Sequence, residues 1–152
     1  MEPPANKPQT HTPQQISERC AAIMWPGDRA PQALGIEHVR VAPGEAVVRM
    51  TVRPDMTNGH GTCHGGFIFT LADTAFAYAC NTFNARTVAA GADIDFIAPA
   101  HSGEMLTAHA QARHQGGRSG LYDIEVRSAA DALVAVFRGR ATRVRGHFFE
   151  AG

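Results

Sequence analysis

The sequence predicts an α+β domain in which a curved antiparallel sheet wraps around one long central helix. Three observations carry this. Residues 66–83 form a helical stretch that is apolar on nearly every side, with Phe67, Phe69, Leu71, Ala72, Ala75, Phe76, Ala77 and Ala79; such a helix is buried, not laid on a surface. Residues 88–145 read as strands with little helix between them, and an apparent hairpin precedes the helix. A lone buried helix beside an antiparallel meander is covered only if the sheet curls around it.

Each element has its own signal. Residues 1–13 contain Pro3, Pro4, Pro8 and Pro13 and almost no apolar side chains, so a disordered tail is expected. Residues 14–24 place Ile16, Cys20, Ile23 and Met24 at helical spacing, with Trp25-Pro26-Gly27 as the stop. Residues 34–41 and 45–52 flank Pro43-Gly44 as two hairpin strands, and 53–65 is a loop rich in Gly, Asn and His. Strands are expected over 88–98, 104–114, 120–128 and 133–145. Ala108, Ala110 and Ala112 alternate with polar residues in the second of these, and Tyr122, Ile124 and Val126 do so in the third. Turns fall at Ser102-Gly103, Gly116-Gly117 and Ala130-Asp131. Residues 14–146 then make one domain and 147–152 a C-terminal tail. The sheet as bun and the helix as filling is the hotdog fold.

At 152 residues the chain is long enough for a full core. Its 14 basic and 14 acidic residues cancel, so no nucleic-acid or anionic-membrane partner is expected. No apolar run approaches the ~18 residues of a spanning helix, and no signal peptide is visible. Cys20, Cys63 and Cys80 show no CxxC spacing and read as reduced thiols of a cytoplasmic protein.

The chemistry is concentrated in Asn58-Gly59-His60-Gly61-Thr62-Cys63-His64-Gly65-Gly66, which runs straight into the apolar helix. A glycine pair at a helix start leaves bare N–H groups at the positive end of the helix dipole. Such donors suit a carbonyl oxygen that gains negative charge in a transition state. Asp73 is the lone carboxylate of the helix and is costly there without a task. Together they point to acyl transfer at a thioester or ester. Asp73 lies eight residues beyond Gly65, about 12 Å along the axis, so one chain cannot bring both to a single carbonyl. A two-fold dimer in which Asp73 of one chain faces Gly65 of the other solves this. Asp73 would act as general base or as nucleophile. His64 either braces the turn or polarises the substrate. Cys63 reads as a small buried thiol, not a nucleophile, and the H-x-x-C-H spacing matches no metal site.

These residues, with Leu71-Ala72-Asp73-Thr74-Ala75 and, more weakly, Asp95-Phe96, Arg113-His114-Gln115-Gly116 and Phe137-Arg138-Gly139-Arg140, resemble the hotdog acyl-CoA thioesterases of phenylacetic acid degradation over about residues 14–146. The resemblance implies hydrolysis of phenylacetyl-CoA and ring-hydroxylated relatives, with no cofactor beyond the CoA of the substrate. It implies Asp73 as the catalytic carboxylate, the Gly65 amide as carbonyl polariser, and Asn58 and His64 in water-orienting and site-shaping positions. It also implies a homotetramer, a dimer of dimers. One departure is visible. Relatives often carry a hydroxyl residue in the strand after the helix, where this chain reads Val88-Ala89-Ala90-Gly91-Ala92, which shifts water positioning towards Asn58 and Thr74.

Phosphates of CoA call for basic residues. Candidates are Arg113, Gly116, Gly117 and Arg118 at one turn, Arg143 on the last strand, and Pro99 and His101 against the pantetheine arm. Phe67, Thr74 and Tyr78 are candidates for the acyl pocket. Competing readings are a hotdog dehydratase or hydratase and a non-catalytic acyl-CoA-binding domain. The first wants a His beside the carboxylate, which this helix lacks; the second has no need of Asp73.

Overall fold

A computed structural model of the chain describes residues 10–150. Most of the expected N-terminal tail, residues 1–9, lies outside the described residues, as do 151–152. Helix α1 (Pro13–Met24) opens on a capping box: Thr12 Oγ1 accepts from Gln15 N, and Gln15 Oε1 accepts from Thr12 N. Pro13 stands at its first turn, where a missing N–H costs nothing. A 3-10 turn at Trp25–Gly27 and a five-residue helix α2 (Arg29–Ala33), which the sequence does not announce, follow it.

Strands β1 (Glu37–Ala42) and β2 (Glu45–Thr51) form the expected hairpin, turned at Gly44 with φ 70°. After helix α3 (Gly65–Cys80) come β3 (Thr87–Phe96), β4 (Met105–Gln115), β5 (Ser119–Ser128) and β6 (Leu133–Arg143). All pair antiparallel in one six-stranded sheet of order β1-β2-β4-β5-β6-β3. This is the hotdog architecture.

The helix seats itself in the sheet through small residues. Ala108 and Ala110 on β4 are fully buried, and a Cβ on Gly139 of β6 would stand 2.7 Å from the Phe76 ring. Leu71, Ala75 and Phe76 of α3 pack with Leu106, Tyr122, Ile124, Val126 and Phe137 of the sheet. The opposite sheet face is charged and holds ion pairs such as Arg138–Asp123 (2.7 Å) and Arg140–Asp93 (2.7 Å).

Helix α3 stops at Cys80, three residues short of the expected 83, because polar side chains take over there. Asn81 Nδ2 donates to Ala77 O and Thr87 O, and its Oδ1 accepts from Thr87 N. Asn84 then adopts φ 53° and clamps the last described residues: its Oδ1 accepts from the N–H groups of Phe148 and Phe149, and its Nδ2 donates to Phe149 O. Residues 147–149 therefore form a strap against the body of the fold, with Arg86 stacked on Phe148 and Arg19 on Phe149. Of the two edge strands, β1 is flanked by α1, whereas β3 leaves Val88, Phe96 and the following Ile97 exposed.

Candidate active site

The loop before α3 is built around Asn58. Its Oδ1 accepts from the main-chain N–H groups of His60 (2.9 Å) and Thr62 (3.2 Å), and its Nδ2 donates to Thr62 Oγ1. Gly61 adopts φ 78°, a value that suits glycine. The loop is then stitched to the segment after β3, since Cys63 N donates to Ala100 O (2.7 Å) and Thr62 bridges His101. His64 is the N-cap of α3; its N–H donates to Met56 O, and its ring is exposed without a hydrogen bond among the described residues. The bracing foreseen for His64 is thus done by its main chain. Among the described residues, neither the Gly65 nor the Gly66 N–H finds a backbone acceptor, so two donors project from the helix start.

Asp73 sits mid-helix, half-buried. Burial is the first cause that pushes its carboxyl above the usual range, and the carboxylate of Asp28 is the second. No hydrogen bond to Asp73 offsets this among the described residues. The helix is continuous from Gly65 to Asp73, so about 12 Å of helix separates donor from carboxylate within one chain.

The proposed acyl-pocket residues divide. Phe67 is partly buried against the core. Thr74 is buried, and its hydroxyl donates to Thr70 O of its own helix (2.7 Å). Tyr78 is fully buried, its ring 4.0 Å from that of His38. Burial first, and then the charge of the Asp28 carboxylate and a loose hydrogen bond to it, push its phenol pKa up; the hydroxyl meets no closer partner among the described residues. Pro99 lines a cavity of about 400 Å³ with Cys63, Gly65 and Phe96. Cys63 is buried, which raises its thiol pKa, and the thiol donates to His64 O.

The proposed CoA contacts fall at two ends of the fold. His101 beside Pro99 is at the Gly65 end, with its Nδ1 3.0 Å from Glu104. Gly116, Gly117 and Arg118 are at the other, where Arg143 N donates to Arg118 O and Arg143 stacks 6.0 Å from Phe83, just past the C-terminus of α3. The 16 residues of α3 span about 24 Å between the two groups. Arg113 belongs to neither: it pairs with Asp123 (2.6 Å) on the outer sheet face.

Two features escaped the sequence. Phe96 covers Gly65, a contact between residues 31 apart that only the sheet order creates. Asp28 faces Asp73 and Tyr78, and nothing in Trp25-Pro26-Gly27-Asp28 beyond a turn signal points there.

Known proteins share this fold and much of this sequence. Residues 60–135 match the family model described as the thioesterase superfamily. The chain is 49% identical over 126 residues to the acyl-coenzyme A thioesterase PaaI of Escherichia coli, covering 83% of this chain and 90% of that one. It is 30% identical over 111 residues to human acyl-coenzyme A thioesterase 13, covering 72% of this chain and 79% of that one. The solved structure of the E. coli PaaI protein from the phenylacetic acid degradation operon superposes with a TM-score of 0.88 at 46% identity, over 90% of this chain and 99% of that one. A mutant of the phenylacetic acid degradation protein PaaI from Thermus thermophilus does so at 0.74 and 41%, over 77% and 100%. With the fold, the glycine-started helix and these matches together, the chain belongs to the thioesterase superfamily, as a hotdog-fold thioester hydrolase related to the phenylacetic acid degradation proteins.

Proposed function

We propose that the chain hydrolyses aryl-acyl-CoA thioesters, phenylacetyl-CoA and its ring-hydroxylated relatives among them, at a site shared across a two-fold dimer. One observation carries the dimer. Gly65 lies under Phe96 at the C-terminal end of β3, while Thr87 and Val88 at its N-terminal end border Ala77, one helical turn beyond Asp73. Strand β3 is a free sheet edge. Antiparallel pairing of this edge with its copy sets the C-terminal end of one β3 against the N-terminal end of the other. That carries the Gly65 amide of one chain towards Asp73 of its partner and covers apolar groups on an unpaired edge.

At such a site the Gly65 N–H, at the positive end of α3, donates to the thioester carbonyl oxygen and stabilises the oxyanion. Asp73 acts on the carbonyl carbon in one of two ways. As general base it takes a proton from water, whose oxygen forms the new C–O bond as the C–S bond breaks and the thiolate of CoA leaves. As nucleophile it forms the C–O bond itself as the C–S bond breaks and the thiolate of CoA leaves, and water then opens the mixed anhydride to the free acid and the restored Asp73 carboxylate. A raised carboxyl pKa favours proton uptake by Asp73 in the first route.

Mixing two inactive variants tests the shared site. Asp73→Asn removes the carboxylate. Gly65→Pro, made together with Phe96→Ala to give room to the added Cβ, removes the N–H at a first-turn position, and His64 already has the extended ψ of 136° that a following proline demands. A shared site regains about a quarter of wild-type activity on 1:1 exchange, because half the dimers are mixed and each holds one intact site. No recovery in verified mixed dimers overturns the shared site. Absence of thiol release from every aryl-acetyl-CoA overturns the substrate class.

A further inference from the structure

Residues four apart on a helix share a face, and Gly65, Phe69, Asp73 and Ala77 form one such stripe along α3. Gly65 lies under Phe96 at one end. At the other, Ala77 floors a cavity of about 580 Å³ walled by Ile23, Met24, Val88 and Phe148. This is the side of the helix that the fold leaves open: Ile68, Leu71, Phe76 and Tyr78 are buried, whereas Phe69 stays 36% exposed.

A large ring left in water on an otherwise buried helix is apolar area without cover. One side of the ring is already fixed. It meets Phe137 of β6 edge-on, with centroids 5.2 Å apart and planes at 66°. Phe137 in turn stands opposite Ile94 of β3. Phe69 therefore adjoins the free β3 edge, on which Val88 and Phe96 are exposed as well. Helix stripe and strand edge are neighbouring parts of one surface.

Resting on the proposed shared site, we propose that this surface receives a second copy of the chain and that Phe69 lies on the two-fold axis, its ring against its own copy. The site itself sets the register. Gly65 of each chain faces Asp73 of the other, so the two α3 helices run antiparallel, and the position midway between those residues, Phe69, is the one that faces itself. Each reacting carbonyl then lies about 6 Å along the helix from the axis, and the two carbonyls are about 12 Å apart. The paired rings stand between them as the inner wall of both sites. Packing of aromatic rings against each other adds to the area they bury.

The test places a cysteine at the axis. Under copper-phenanthroline in air, Phe69→Cys should convert most of the chain to a reducible dimer on a denaturing gel. Facing positions of packed helices come within the roughly 4–7 Å between Cα atoms that a disulfide needs. Gly66→Cys is the off-axis control, since an added Cβ there meets nothing. Its two copies are displaced by about 9 Å along the helices, and it should run as a monomer. Wild type should do the same, because Cys20, Cys63 and Cys80 are buried. No reducible dimer from Phe69→Cys, or one no greater than from Gly66→Cys, overturns the axis. Phe69→Glu gives an independent reading. It sets two carboxylates against each other, and it should halve the mass of the native assembly and lower thiol release from phenylacetyl-CoA about 10-fold or more. Its circular dichroism should persist, since the side chain is exposed within one chain. Unchanged mass and activity overturn the interface. Recovery in mixed Asp73 and Gly65 variants without crosslinking at Phe69 removes the axis and leaves the shared site standing. Crosslinking at Phe69 without that recovery supports the axis and overturns the shared chemistry.

Discussion

The Phe96 ring lies directly over Gly65: a methyl group added to that glycine would stand 2.7 Å from Phe96 Cζ. The end of an edge strand thus covers the start of the central helix. Gly65 is required for space, the proposed site also uses its bare N–H, and the two demands are separable. Gly65→Ala keeps the N–H but displaces the ring, and it should lower kcat/KM for phenylacetyl-CoA by about 10-fold or more through blocked approach to the donor. Adding Phe96→Ala should restore part of the loss. A double variant no better than Gly65→Ala would show that the methyl group itself obstructs the substrate.

Asp73→Asn should cost about 100-fold or more in thiol release and at the same time stabilise the fold. Burial and Asp28 raise the Asp73 carboxyl in the folded state, so the folded chain holds that proton more tightly than the unfolded chain. The ionised form therefore destabilises the protein above the ordinary carboxylate pKa of about 4, and the penalty is complete once the pH exceeds the raised value. Thermal unfolding should show Asp73→Asn more stable than wild type at pH 7, by about 2–4 °C per kcal/mol, with the difference vanishing towards pH 3. A lower Tm at pH 7 would reveal a partner of the carboxylate. The acid limb of the wild-type pH–rate profile should likewise lie above about 4.

Tyr78→Phe removes a buried hydroxyl with no partner at close hydrogen-bond geometry among the described residues. Such a deletion should leave Tm unchanged or raise it, whereas loss of a satisfied bond costs about 1 kcal/mol. A clear fall in thermal stability would indicate a bridging water or a direct bond to Asp28.

Asn84→Gly keeps the residue free to adopt φ 53° while deleting the clamp on Phe148 and Phe149. Hydrogen exchange at residues 147–149 should accelerate by about 10-fold or more, as expected when bonds worth about 1 kcal/mol each are lost. Unchanged exchange would assign the strap to the Arg19 and Arg86 stacks instead.

The sheet and helix were legible because their patterns are local. Alternation in Tyr122, Ile124 and Val126 places one strand face inward, and those residues are fully buried. The run from Phe67 to Cys80 is apolar all round, and the helix is central. The end of that helix was not legible, because Phe83 extends the apolar pattern while Asn81 and Thr82, whose side chains bond back to Ala77 O and Ala79 O, terminate it. The glycines and Asp73 stood out as residue types that are anomalous where they occur. Asp28 did not, since an aspartate after Pro-Gly looks like an ordinary turn residue, and only the packing of α2 against α3 brings it near Asp73. Arg113 shows the converse: it looks like an anion ligand in sequence, and in the fold it pairs with Asp123, which Arg138 also holds.

The cavity beside Ala77 is walled by the two extremities of the described chain, the last turn of α1 on one side and Val144 and Phe148 on the other. Chain ends tolerate change more readily than a packed helix or sheet. Gly65 and Asp73, by contrast, sit on α3, the element most constrained by the core. The shape of this cavity can therefore change through the segments that flank the domain, leaving the helix start and the sheet untouched. For the same reason, a fusion joined directly to the C-terminal strap alters that wall while leaving the core of the fold intact.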